Sequence, residues 1–218
     1  MQRDDEIVIR IDTKGNIYVE DTEDGIKSYK RIEPVTFISC VKSSIRMPGV
    51  SSGVLPQGTF SFSTGEDGTK KVFMEFPSRR CDITYEKTEY KNFPLPRLVF
   101  GFEVKKERIC SVYLGVVEEG MLKPTSKMFI YPFSNVGGFR VCCGGNTLPS
   151  IKSLHQLAGV MLYVMSMPNN NDHYTRSRTK LNMELRELFE TLKDKDPGYY
   201  YTDVLCDEGK TLQDFINQ

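Results

Sequence analysis

The chain has little that would commit it to a metal, a membrane or a polyanion. It has two histidines, no tryptophan and no CxxC pair, the commonest cysteine spacing for a structural zinc site. No apolar run approaches the roughly 20 residues of a membrane-spanning helix. Lys and Arg total 29 against 29 for Asp and Glu, which argues against a nucleic-acid partner held by phosphate neutralisation. The N-terminus, MQRDDEIVIRID, is acidic and lacks the charged-then-apolar order of a secretory signal. The six cysteines, at 40, 81, 110, 142, 143 and 206, are unevenly spaced. With no export signal they read as reduced cytoplasmic thiols and not as a disulfide framework. Adjacent Cys142 and Cys143 would point to opposite faces of an extended segment, so they make poor co-ligands for one metal. No internal repeat or low-complexity linker is visible.

What is there is a globular composition: 218 residues, 39% hydrophobic, enough for one large domain, or one with an appendage, to bury a core without staples. Ile7, Ile9 and Ile11 alternate, then Gly15-Asn16 turns into Ile17-Tyr18-Val19, the pattern of a β-hairpin over 6–20. Further β-prone runs are Val35 to Val41, Thr59 to Phe62, Val72 to Phe76, Leu98 to Val104, Ile109 to Val117 and Met128 to Tyr131. After Pro149 the period changes. Ile151, Leu154, Ala158, Met161 and Met165 predict a helix over 150–167, capped by Ser150 and stopped by Pro168. Leu181, Leu185, Leu188 and Leu192 predict a second over 178–193, and Leu212, Phe215 and Ile216 a short third. Strands followed by helices make an α+β domain, an antiparallel β-meander with C-terminal helices.

The most unusual stretch is FIYPFSNVGGFRVCCGGNTLP, residues 129–149, between the last strand and the first long helix. Paired glycines at 137–138 and 144–145 bracket the two cysteines, and Asn135 stands seven positions before Cys142. Junction loops of this kind often carry function. Lys70-Lys71, Arg79-Arg80 and Lys105-Lys106 read as solvated surface, able to dock an acidic partner.

The segment resembles the active-site region of ubiquitin-conjugating (UBC) enzymes, in which a His-Pro-Asn-Val strand end precedes Gly-x-Ile-Cys-Leu and a helix. It is closer to the prokaryotic ubiquitin-conjugating-like family D, which includes the PRTRC system protein B group. The matched elements are Leu55-Pro56-Gln57-Gly58, Pro94-Leu95-Pro96, Pro132-Phe133-Ser134-Asn135-Val136 and Val141-Cys142-Cys143-Gly144. Phe133-Ser134 stands where the eukaryotic enzymes have His-Pro, and Cys143 where a bulky apolar residue is usual.

The resemblance implies a UBC-like fold over 51–218; residues 1–50 lie outside the matched elements and read as a β-rich extension packed on the sheet. It implies that Cys142 accepts the C-terminal glycyl group of a ubiquitin-like modifier from a ThiF-like adenylating enzyme and passes it to an amine. A JAB-type metallopeptidase is an implied further partner; nucleic acid, membrane and cofactor are not called for. A free thiol, with a pKa of about 8.5, suits the nucleophile. Asn135 would donate an amide N–H to the oxyanion, worth about 3–4 kcal/mol in other acyl transfers, or would form an Asx-turn at the strand end. Pro168-Asn169-Asn170-Asn171-Asp172-His173 resembles the Pro-Asn-Pro-Asp-Asp loop of the eukaryotic enzymes, making Asp172 the candidate that orients and deprotonates the acceptor. His173 is the alternative base, since imidazole titrates near neutrality. The open alternative is a catalytically inactive adaptor that binds the modifier or the activating enzyme.

Overall fold

In a computed structural model, residues 8–23, 26–44 and 52–218 are described. The chain divides into two compact units, the boundary falling between 51 and 52.

In the first unit β1 (Val8–Ile11), β2 (Ile17–Glu23) and β3 (Ile26–Ile32) form an antiparallel sheet with β2 in the middle, and α1 (Pro34–Ser44) follows. Ile7 of the expected alternating set lies outside the described residues. The β1–β2 turn is built on Asp12, whose carboxylate accepts the backbone N–H groups of Lys14 and Asn16 at 2.9 Å and the Asn16 amide at 2.7 Å. The Asn16 bonds hold the Asp12 carboxyl below its ordinary pKa. Val35 to Val41, expected as a strand, is helical. Pro34 fits the first helical position, where a fixed φ and a missing N–H cost nothing, and the Phe37 N–H reaches the Glu33 carbonyl at 3.0 Å. Against that start the β propensity of Val, Thr and Ile is a weak preference.

The second unit is α+β. Its strands are β4 (Thr59–Thr64), β5 (Lys70–Phe76), β6 (Arg79–Tyr85), β7 (Thr88–Leu95), β8 (Leu98–Lys105), β9 (Arg108–Val117), β10 (Lys127–Phe129), β11 (Val136–Gly137), β12 (Arg140–Val141) and β13 (Asp207–Thr211). The main sheet runs β11-β12-β9-β8-β5-β4, all antiparallel, while β10 pairs with the far end of β9 and with β13. β6 and β7 form a separate hairpin between β5 and β8. The helices, α2 (Leu157–Ser166), α3 (Leu185–Leu192) and α4 (Leu212–Ile216), come late in the chain.

Both faces of the sheet are covered, and the strand period sorts the side chains between them. From β8, Leu98, Phe100, Phe102 and Val104 join the large core with α2 and α3, while Val99 joins a smaller core with Phe73, Met128, Phe139, Leu212 and Phe215. Covering on both faces is why β8 reads as a nearly continuous apolar run. Gly101 falls on the smaller side, where an added Cβ would come within 2.7 Å of the Phe73 ring; a side chain there would expel that ring. Phe189 of α3 centres the large core, stacked on Phe133, Tyr90 and Tyr85 at 5.0, 5.2 and 5.3 Å.

Two expected helices are shorter than their apolar periods. The first begins with a 3-10 turn, Leu154–Gln156, capped by Ser153 instead of Ser150, and α2 starts only at Leu157. Its buried face is Leu157, Val160, Met161, Val164 and Met165, leaving Ala158 exposed. Met167 is extended, as a residue before proline must be. The second is confined to Leu185–Leu192, because Thr179 bridges to Leu205 and the Lys180 N–H bonds the Val204 carbonyl at 2.9 Å. Leu181 still packs on the core, from a turn closed by the Asn182 N–H on the Thr179 carbonyl at 3.2 Å. Arg80, expected as solvated surface, donates to the carbonyls of Asn92 at 2.9 Å and Lys195 at 2.6 Å, tying β6 to the end of α3. Among the described residues no helix is long and apolar enough to cross a membrane.

Candidate functional site

The candidate residues lie where the edge of the sheet meets the loop after α2. On the sheet side the chain is pinned by aromatic burial. Phe133 stacks on Phe189 and meets Phe93, Tyr131 and Tyr200 edge-on at 5.8, 5.5 and 6.3 Å. Ser134, also buried, donates its hydroxyl to Asn169 Oδ1 at 3.0 Å and accepts the Asn170 N–H at 3.3 Å. Asn135 then adopts φ +63°, a left-handed conformation that asparagine tolerates better than other side-chain-bearing residues. Its N–H reaches the Asp172 carbonyl at 2.9 Å and its Nδ2 the Pro168 carbonyl at 3.1 Å. The strand end is thereby bonded to both ends of the 168–172 loop.

From Asn135 the chain makes the short β11–β12 hairpin and returns, so that the Cys142 N–H donates to the Asn135 carbonyl at 2.7 Å. Asn135 and Cys142, separated in sequence by the paired glycines, are therefore bonded neighbours. Cys142 is exposed and Cys143 half-buried. Burial, with a further contribution from Cys142, raises the Cys143 thiol above its ordinary pKa and disfavours its thiolate. Among the described residues no group of three or more His, Cys, Asp or Glu side chains is arranged to hold a metal ion.

The 168–173 loop is held from three sides. Asn169, buried, donates its backbone N–H at 2.7 Å and its side-chain amide at 3.2 Å to the Thr84 carbonyl of β6, and its own carbonyl accepts the Glu86 N–H at 2.7 Å. Tyr85 donates its hydroxyl to Asn171 at 3.1 Å. Arg178 donates to the Tyr131 carbonyl at 3.0 Å and to the His173 carbonyl at 2.8 Å, bridging strand end and loop; burial lowers its pKa from the usual arginine value. Asp172 is exposed, its carboxylate accepting from the Asn170 amide at 3.1 Å. The His173 ring packs on β11 at Gly137, where a Cβ would come 3.2 Å from Nδ1; glycine is what lets the imidazole approach.

Cys142 looks onto two spaces. A small recess is shared with Asn135, Ser134, Met165 and Asn169. A wide opening of about 420 Å³ is shared with His173, Gly137 and Arg140. All four candidates, Cys142, Asn135, Asp172 and His173, thus belong to one region, with His173 and the thiol lining the same opening and Asp172 joined to it through its backbone. Sequence reasoning did not single out Ser134, Asn169 and Arg178, which hold the region together. The asparagine run was the one local signal for Asn169; Arg178 acts through long-range contacts that leave no local pattern. No family model matches the chain, and neither a curated protein nor a solved structure matches it.

Proposed function

We propose that this chain is a ubiquitin-conjugating-enzyme-like protein with a UBC-like fold, taking a ubiquitin-like modifier as a thioester on Cys142 and passing it to an acceptor amine. The observation that carries the reading is an exposed thiol bonded through its own backbone to Asn135, on an opening it shares with His173. In the first step the Cys142 thiolate attacks the carbonyl of the thioester held by a ThiF-like adenylating enzyme. A new S–C bond forms, the old one breaks and the activating enzyme's thiolate leaves. In the second step the acceptor amine attacks and Cys142 leaves as thiolate. The amine's proton goes to Asp172 or His173, and the base releases it to solvent.

Asn135 can serve both intermediates. Its amide carries two hydrogens; one is used by the Pro168 carbonyl, and the other, without a partner among the described residues, can meet an oxyanion. Exposure gives the thiol the access that a large acyl donor demands, and the bond from the Cys142 N–H to the Asn135 carbonyl keeps Asn135 near. A second reading, a non-catalytic adaptor binding the modifier or the activating enzyme, draws on the same residue. The left-handed backbone and the Pro168 bond already account for an asparagine at 135. Under the conjugating reading a JAB-type metallopeptidase would be a further partner, able to remove the modifier.

Incubation with a ThiF-like activating enzyme, its modifier and Mg-ATP, resolved on a non-reducing gel, tests the proposal. A reductant-sensitive adduct lost in Cys142→Ala and kept in Cys143→Ala is expected. No adduct from an activating enzyme that charges itself would overturn conjugation. Iodoacetamide mapping at neutral pH bears on the choice without partners: the nucleophile must alkylate readily, so a Cys142 that does not would favour the adaptor.

A further inference from the structure

The edge of β9 turned away from β8 is only partly covered. β12 meets it at Tyr113 and β10 at Val116 and Val117. Among the described residues no strand pairs with Arg108–Val112 on that side. This stretch is one wall of a cleft of about 460 Å³, whose other wall is the segment 146–150. That size lies within the roughly 300–1,000 Å³ of ligand-binding clefts. Ile109, Val141 and Leu148 give it apolar surface, and Arg108 and Arg140 stand in its walls.

A second cleft of about 410 Å³ shares Arg108, Ile109 and Cys110 and adds Lys105 and Lys106. The two make one trough along the strand edge. None of the residues lining it carries a carboxylate. Lys105 is paired with Asp67, but among the described residues neither Arg108 nor Arg140 has an ion-pair or hydrogen-bond partner for its side chain. In a chain of zero net charge, two uncompensated guanidiniums beside an open strand edge mark a place where negative charge and a peptide backbone would both be satisfied.

We propose that this trough holds an extended acidic segment of a partner protein, laid along the Arg108–Val112 edge of β9 with its carboxylates on Arg108, Arg140 and Lys106. Main-chain bonds supply attachment and the cations supply selectivity, as in other strand-addition sites. A polynucleotide is the poorer occupant, because no aromatic side chain lines the trough for bases to stack on. The proposal is independent of transfer chemistry, since Cys142 is not among the residues of either cleft.

A fluorescein-labelled, end-blocked hexapeptide of alternating Glu and Val, titrated with the whole chain and followed by anisotropy, tests it. Saturable binding is expected, weakened at least about tenfold by Arg108→Glu with Arg140→Glu and by raised salt. The same peptide N-methylated at alternate amides should bind at least about tenfold more weakly, and needs no protein variant. Amides of residues 108–112 should exchange more slowly in the complex. Absence of saturable binding would overturn the proposal, as would equal binding of the N-methylated peptide. So would equal binding by the charge-reversed protein, with Arg108→Gln plus Arg140→Gln used if reversal unfolds it. Tighter binding of a 12-nucleotide oligothymidine would assign the trough to nucleic acid instead.

Discussion

The two arms of the candidate site are built in opposite ways. The strand end is buried at Phe133 and Ser134 and half-buried at Asn135, aromatic on one side and bonded on the other to Pro168, Asn169, Asn170 and Asp172. The stretch after Cys142 is mostly exposed, held by the Asn146 N–H to the Cys143 carbonyl at 2.9 Å and by Tyr163 to the Thr147 carbonyl at 3.3 Å. One arm fixes a position; the other leaves a thiol reachable. Acyl transfer from a bulky donor needs both, since an oxyanion donor is useful only where it is already placed, and a nucleophile only where the donor can arrive.

The sharpest way to break the contrast is Cys142→Ala. Because the side chain is exposed, stability should change by no more than about 0.5 kcal/mol, while any reductant-sensitive adduct disappears entirely; a gel beside a urea melt checks both. Phe133→Ala attacks the other arm. It should cost about 3–5 kcal/mol by cavity formation, read from the urea midpoint, and disturb the 168–173 loop with it. Asn135 discriminates turn from catalyst. Alanine at φ +63° should lose about 1–2 kcal/mol, whereas Asn135→Gly keeps the backbone free. If the amide meets the oxyanion, both variants slow transfer about 10²–10³-fold; full transfer by Asn135→Gly would reduce Asn135 to a turn residue.

The smallest effect concerns Cys143. Its thiol is raised in the folded chain by burial, so on alkalinisation the unfolded chain loses that proton first. Its contribution to stability is therefore full below the unfolded thiol value of about 8.5 and declines as pH rises through the folded one. Stability of Cys143→Ser should fall less steeply with pH in that window, and iodoacetamide should modify Cys142 before Cys143 at pH 7.

Much of the large sheet was legible because burial on one or two faces writes a period of two or an unbroken apolar run, as in β5, β8 and β9. The β6–β7 hairpin was not, because Glu86-Lys87 forms its turn, with Glu86 at φ +51°, and no Gly, Asn or Asp announces it. The late start of the second predicted helix depends on Leu205, outside any local window. In the candidate site, Cys142, Asn135 and the 168–173 loop drew notice as local motifs. That backbone bonds join them is information carried by the fold.

The arrangement of α4 bears on how the chain is made. Phe73 and Phe139 are met edge-on by Phe215 at 5.7 and 5.0 Å, and Leu212 completes that layer. Every strand they cover is synthesised before them. On the ribosome, this face of the sheet stays wet and sticky until translation has passed α4, long after β5 and β8 could pair. A stall or cleavage just before residue 207 would leave a nascent species whose exposed aromatic surface invites chaperones or aggregation.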